Sequence, residues 1–242
     1  MATILNYLND TFLLKCDASV QSTGRNEKGL YVVLDQTVAY PQGGGQPADQ
    51  GFLIDEEAEI PLTFVGFQNG EVLHNVPESA LEKIKVGKTY TVQVDPTHRM
   101  NSARLHTSGH LVSHVMESIE PSLVPIKGYH FPDGSYVEFV NDQAVDVSQL
   151  IDRANRAIEE MIAAKTRIYA SYSGFEFIQK IRPQLAPFIP QDKPSRIVAI
   201  GDYTPLPCGG THLSDLSQVG TLRITKTKRA KENARVSYEV VH

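Results

Sequence analysis

Cysteine is scarce. Cys16 and Cys208 are the only two in 242 residues. Two cysteines cannot build a disulfide framework, and they suit a reducing compartment. No apolar run approaches the ~18 residues that a membrane-spanning helix needs. The first residues, MATILNYLNDTFLLKC, lack a basic segment followed by an apolar run and a small-residue cleavage site, so no secretory leader is expected there. Basic charge is also short. The 28 acids against 23 Lys and Arg give a formal net charge of -5, which offers no bulk attraction for nucleic acid or anionic membranes. Internal repeats, coiled-coil heptads and low-complexity tails are missing. The expectation is a soluble, cytoplasmic protein with no membrane partner.

What remains is an ordinary globular composition, 41% hydrophobic and 21% charged. The length suits one large domain or two modest ones. Residues 1–95 read as β-rich: short apolar runs recur at Thr11–Leu14, Leu30–Leu34, Leu62–Phe67 and Tyr90–Val94, with turn residues such as Gln68-Asn69-Gly70 between them. This predicts a small barrel or sandwich. At Asp95-Pro96 the pattern changes to a helix start, with Asp as N-cap and Pro at the first helical position. Leu105, Val112, Val115, Met116 and Ile119 follow at helical spacing, interrupted by Gly109. A second helix carries Leu150, Ile151, Ala154, Ile158, Met161 and Ile162 as one stripe. Strands are expected at Arg167–Ser171 and Arg196–Ile200, and the end reads as a hairpin with a basic turn. Residues 96–242 are therefore α+β. Charge divides at the same boundary: 6 basic against 13 acidic residues before it, 17 against 15 after it, or -7 and +2.

His106 and His110 are four apart, which puts both imidazoles on one helix face. A hundred residues on, Cys208-Gly209-Gly210-Thr211-His212 brackets two glycines with a thiol and an imidazole. The four side chains make a complete nitrogen–sulfur set for Zn²⁺. The bland alternative is a buried cysteine among unrelated histidines. His114, one turn further, reads as a neighbour of the set or a plain helix residue. A zincin would need Glu after the first His, where Thr107 stands. A zinc nucleobase deaminase would need HxE and a second Cys, and both are missing. Four protein ligands suit a closed structural site; catalysis needs one of them displaceable. The segment Ala39–Gly51 is too glycine-dense for a strand, and it matches neither a P-loop nor a dinucleotide fingerprint. It reads as a long turn or as a backbone-lined wall for a ligand.

YPQGGGQPADQG, RLHTSGHLV and CGGTHLSDLSQVG, in this order, resemble the editing portion of alanyl-tRNA synthetase, and more closely its free-standing AlaX relatives. Threonyl-tRNA synthetase editing domains share the later two motifs. The likeness runs from about Tyr31 to the end, and the length leaves no room for a synthetase's other domains. It implies a glycine-rich β-barrel domain at 1–95 followed by a zinc-binding editing domain at 96–242. It implies ATP-independent hydrolysis, in trans, of mischarged tRNA(Ala), chiefly Ser-tRNA(Ala) and then Gly-tRNA(Ala), in the service of translation fidelity. His106, His110, Cys208 and His212 take the zinc positions, with Gly209, Gly210 and Thr211 as the loop beside them. Thr107 becomes a donor near the substrate, or else a hydroxyl bonding backward to a carbonyl. Gly43, Gly44 and Gly45 match the glycine-rich motif beside the substrate. Two positions depart from the pattern: Gly109 where many editing sites have Thr, and Ile126 where many have Gln. Both remove polar groups from the expected substrate pocket.

Arg223, Lys226, Lys228, Arg229, Lys231 and Arg235 against Glu232 give the terminal hairpin a local charge of +5. Lys226, Lys228, Arg229 and Lys231, with Arg99 and Arg104 near the metal helix, are the expected contacts to the tRNA acceptor end; the alternative is a solvated hairpin tip. A monomer or weak dimer is expected. The rival functions are a non-catalytic zinc-stabilised tRNA-binding module and a zinc hydrolase of small esters.

Overall fold

The structure is a computed structural model that describes residues 2–230 and 232–241. Lys231 lies outside the described residues. The chain divides into two compact units, Met1–Ala103 and Arg104–His242. Both mix few helices with many strands, so the α+β class holds. Among the described residues no helix is long and apolar enough to cross a membrane.

In the first unit, β1 (Ile4–Leu5) pairs in parallel with β4 (Gln36–Thr37). The main sheet uses β2 (Lys15–Asn26), β3 (Gly29–Leu34), β5 (Gly51–Ile54), β6 (Glu59–Leu62), β7 (Phe64–Gln68), β8 (Glu71–Asn75) and β9 (Thr89–Val94), in the order β6-β5-β9-β2-β3-β8-β7. Long β2 joins its halves: Lys15–Ser19 pair with β9, and Val20–Asn26 pair with β3 after a bulge between Val20 and Ser22. Alternation buries Val32, Leu34, Leu53, Val65 and Val92 completely. Asn69 and Gly70 both have positive φ, 51° and 85°, and turn β7 into β8 as a tight hairpin.

Two expectations fail here. The barrel is not closed: β6 and β7 are free ends of the ladder among the described residues. Only Thr63 separates them in sequence, and its N–H goes to the Asn75 carbonyl of β8 at 2.8 Å. Thr11–Leu14 is a turn, not a strand. The Asp10 carboxylate accepts the Phe12 N–H at 2.8 Å, and the Thr11 carbonyl accepts from the Arg99 guanidinium. The strand starts one residue later, at Lys15.

Helix α1 (Pro96–Ile119) begins as expected, with the Asp95 carboxylate accepting the His98 N–H at 2.8 Å. The unit boundary falls inside it. Its first turns belong with the β-rich unit because Arg99 is fully buried there. Arg99 donates to the Asp49 carboxylate and to the carbonyls of Thr11 and Val38. Asp49 in turn accepts the Tyr40 N–H at 2.7 Å and so fixes the base of the glycine-rich segment.

The second unit has a sheet β10-β11-β16-β15, built from β10 (Val124–Tyr129), β11 (Tyr136–Val140), β15 (Thr221–Ala230) and β16 (Asn233–Val241). A smaller sheet holds β12 (Ile168–Ser173), β13 (Ser195–Ile200) and β14 (Leu206–Pro207). Helix α2 (Ile151–Ala163) buries Ala154 and Ile158 and packs on β15; α3 (Phe175–Ile181) follows β12. A bulge interrupts β15 between Ile224 and Lys226. Asn155 of α2 satisfies the Ile224 backbone there, accepting its N–H at 2.8 Å and donating to its carbonyl at 3.3 Å.

Candidate metal centre

Helix α1 supplies His106 and His110, one turn apart with ring centroids 5.2 Å from each other. The loop after β14 supplies Cys208 and His212. The His212 ring lies 4.7 Å from His106 and 4.5 Å from His110. Cys208 Sγ is 3.4 Å from His106 Nε2 and 3.3 Å from His212 Nε2. One donor atom from each of the four residues lies within 4.8 Å of the others. Donors around a tetrahedral Zn²⁺ sit roughly 3.5 Å apart, so the set needs little adjustment to hold one. His110 Nδ1 is buried with no hydrogen-bond partner, as befits a side chain awaiting another kind of bond.

Burial holds His106, His110 and His212 well below the ordinary imidazole value, and the charges they would impose on one another and meet at Arg196 add to this. All three are neutral, with a lone pair each. Burial pushes the Cys208 thiol up, offset in part by the Gly210 N–H, which donates to Sγ at 3.3 Å. A dication at this point would reverse the balance and favour the thiolate.

Two supports hold the ligands. Thr107 is fully buried, and its Oγ1 lies 3.1 Å from His212 Nδ1 and accepts the Leu213 N–H at 3.1 Å. This corrects the expectation of a donor to substrate, because the hydroxyl is committed behind a ligand. Arg196, which sequence reasoning missed, donates Nη1 to the carbonyls of Cys208 (2.9 Å) and Gly210 (3.0 Å). Nothing in the sequence distinguishes it from other arginines; only the fold brings β13 beside the loop. Gly209 is exposed, and a Cβ there would meet nothing within 4 Å, so the loop does not need glycine for space. Thr211 is fully buried. His114 is a buried neighbour, stacked on Tyr203 at 5.3 Å, and burial lowers its pKa to about 3.

The remaining expected site residues lie on other elements. Gly43 and Gln46 exchange backbone hydrogen bonds around Gly44 and Gly45, whose φ of 55° and 79° make a tight two-residue turn. Ile126 is exposed, at a bulge in β10. Arg99 cannot serve a phosphate, since its guanidinium is sealed against Asp49. Arg104 is half-buried and donates to the Gln218 carbonyl at 3.0 Å. Lys226, Lys228 and Arg229 are exposed. Arg235 is bound to Glu138 at 2.6 Å and stacked over Tyr136, which removes part of the +5.

One further histidine adjoins the cluster. His130 is buried, and its ring stacks on that of His106 with centroids 4.5 Å apart. Burial lowers its pKa to about 4. Sequence reasoning passed over it, although the unexpected Gly109 was a signal that something else fills that space.

Residues 7–98 match the family described as tRNA synthetases class II (A), and residues 195–237 match threonyl and alanyl tRNA synthetase second additional domain. Cys208 and His212 fall in the second segment; His106 and His110 fall between the two. The chain is 28% identical to alanyl-tRNA editing protein AlaX-M of Methanosarcina mazei, over 97% of this chain and 95% of that one. It is 27% identical to alanyl-tRNA editing protein AlaX-L of Pyrococcus horikoshii, over 94% of this chain and 55% of the longer relative. Alanine–tRNA ligase of Methanothrix thermoacetophila is 29% identical over 83% of this chain and 22% of the ligase. The resemblance carried by three short motifs thus extends along nearly the whole chain.

Proposed function

From this full-length similarity to AlaX-type alanyl-tRNA editing proteins, we propose that the chain is a trans-editing hydrolase. It deacylates mischarged tRNA(Ala), chiefly Ser-tRNA(Ala) and secondarily Gly-tRNA(Ala), without ATP. The observation that carries the reading is the convergence of His106, His110, Cys208 and His212, two motifs a hundred residues apart in sequence, on one buried point. Zn²⁺ is the metal that this nitrogen–sulfur set favours. Residues 1–95 form the glycine-rich domain and residues 96–242 the editing domain, working as a monomer or weak dimer in the cytoplasm.

The scissile bond is the ester between the amino acid and the terminal ribose. Water adds to the carbonyl carbon, the ribose oxygen leaves with a proton, and free amino acid and tRNA result. Bound Zn²⁺ supplies a positive charge that stabilises developing negative charge or holds an amine. This chain's own residues do the positioning. Thr107 fixes His212, and Arg196 fixes the Cys208–Gly210 loop. Of the four hairpin cations expected to meet the acceptor-end phosphates, Lys226, Lys228 and Lys231 keep that assignment, whereas Arg229 stands opposite buried Ala234. Gly43, Gly44, Gly45 and Ile126 are assigned to the aminoacyl end by resemblance.

A second reading has one observation in its favour. The donor cluster is a closed set of four with no Asp or Glu in it, as suits a structural metal in a tRNA-binding module. Deacylation of purified Ser-, Gly- and Ala-tRNA(Ala) separates the two. Editing requires loss of Ser-tRNA(Ala) with Ala-tRNA(Ala) preserved, and abolition by Cys208→Ala together with its zinc. No loss of any charged tRNA at stoichiometric protein would leave the binding module.

A further inference from the structure

Gly109 stands between the two ligand histidines of α1, and Gly128 stands in β10. A Cβ on Gly109 would come within 2.1 Å of His130 Cε1, and a Cβ on Gly128 within 2.2 Å of His130 Nε2. Real Cβ atoms never approach so closely. Two glycines on two elements therefore make room for one imidazole. A helix-interior glycine costs about 1 kcal/mol relative to alanine, so the space at Gly109 is kept at a cost.

Hydrogen bonding fixes the tautomer of that ring. Tyr238 has one hydroxyl proton, and it goes to the Leu105 carbonyl at 2.7 Å, which can only accept. His130 Nδ1, 2.7 Å from the same oxygen, is therefore the donor. The neutral ring then carries its lone pair on Nε2, which makes no hydrogen bond among the described residues. The ring adjoins the metal cluster, held by stacking on His106.

The geometry points to His130 as a further substrate-binding residue of the editing site, whose Nε2 accepts a hydrogen bond from a donor on the aminoacyl group. That inference rests on the editing function proposed above. An aminoacyl ester carries two such donors, the α-ammonium and, in a seryl group, the side-chain hydroxyl. His130 restores polarity to a site where Gly109 and Ile126 supply none. A site that hydrogen-bonds a substrate group rejects the analogue lacking it far more strongly than an apolar pocket does.

The test uses the zinc-loaded full chain and calorimetric binding of non-hydrolysable seryl and glycyl amides of 3′-amino-3′-deoxyadenosine. His130→Phe fills the space and keeps a ring on His106 but has no acceptor; it is expected to bind the seryl amide about tenfold more weakly at unchanged zinc content. His130→Gln, with an amide oxygen near the Nε2 position, is expected to recover most of that loss. Weakening of both amides identifies the ammonium as donor, and weakening of the seryl amide alone identifies the hydroxyl. Equal affinity of His130→Phe and wild type for both amides overturns the inference. The wild-type protein gives a second measurement should His130→Phe not fold: the nitrogen-15 signal of Nε2 must shift on adding the seryl amide, and an unmoved signal overturns the inference as well. If wild-type protein neither binds an amide nor deacylates any tRNA, the editing function itself falls, and this inference with it.

Discussion

Thr107 Oγ1 and His212 Nδ1 lie 3.1 Å apart, on elements separated by a hundred residues of chain. His212 turns its Nε2 toward Cys208 Sγ, and with a metal on that nitrogen the ring proton resides on Nδ1 and is donated to Thr107. The hydroxyl thus sets both the tautomer and the orientation of a metal donor, as a carboxylate or carbonyl does behind many metal-bound histidines. Thr107→Val keeps the shape and removes the acceptor. Zinc affinity is expected to fall about 10–100-fold, measured by competition with a chromophoric chelator. Unchanged affinity would show that the contact does not orient the ligand.

The Arg99–Asp49 pair is fully buried, and it joins the N-terminal turn of α1 to the base of the glycine-rich turn. Removing one partner strands a buried charge, which costs about 3–5 kcal/mol. Asp49→Ala is therefore expected to lower unfolding free energy by about that amount in denaturant titrations. Arg99→Met combined with Asp49→Leu should cost less than the two single changes summed, because it leaves no unpaired charge. Additive losses would contradict that account.

His74 gives the first unit a pH dependence. Its ring is fully buried; Nδ1 donates to the Val32 carbonyl at 3.2 Å, and Nε2 accepts from Thr37 at 2.8 Å. Burial lowers its pKa from 6.5 to about 4. Above pH 6.5 the ring is neutral in both folded and unfolded chains and nothing is lost. As pH falls from 6.5 to 4, the unfolded chain binds a proton that the folded one refuses, so stability declines by up to roughly 3 kcal/mol. Unfolding free energies of wild type and His74→Gln, measured from pH 7 to pH 4, should converge as pH falls. A gap that stays constant would show that His74 is not the titrating group.

How far the sequence revealed the molecule depended on whether a signal was local. Asp95-Pro96 announced α1 because capping is written in adjacent residues. Gln68-Asn69-Gly70 announced a turn for the same reason. The four metal donors were legible because spacing on a helix and bracketing glycines are local features too. Strand β2 was not: in Lys15–Asn26 only Cys16, Ala18 and Val20 alternate, and the rest is polar. The tasks of Thr107, Arg99 and Arg196 were also hidden, since each is defined by a partner brought close by the fold. Arg99 looked like a phosphate contact from its charge, and only its burial against Asp49 reverses that. Gly109 read as a weak point in a helix until His130 came to occupy the space.

The last expectation concerns the hairpin. In a regular strand Arg223 and Lys226 would face opposite sides. The bulge between Ile224 and Lys226 changes the phase, so Arg223, Lys226 and Lys228 share the face of Arg235 and Ser237, while Arg229 lies opposite buried Ala234. Arg235 is already paired with Glu138, and Arg223 stands 3.9 Å from Glu159. Lys226 and Lys228 are then the cations of that face not paired with an acid among the described residues. If the face tracks phosphates, Lys226→Glu with Lys228→Glu should weaken tRNA binding and reduce the slope of log affinity against log salt by about 2, near one per lost contact. Arg229→Glu, on the other face, should change the slope little. Zinc content and hydrolysis of a short aminoacyl-adenosine ester should be unaffected by either. Filter binding across a salt series decides it: equal effects from the two faces would mean that net charge, and not the bulge-set surface, attracts the RNA.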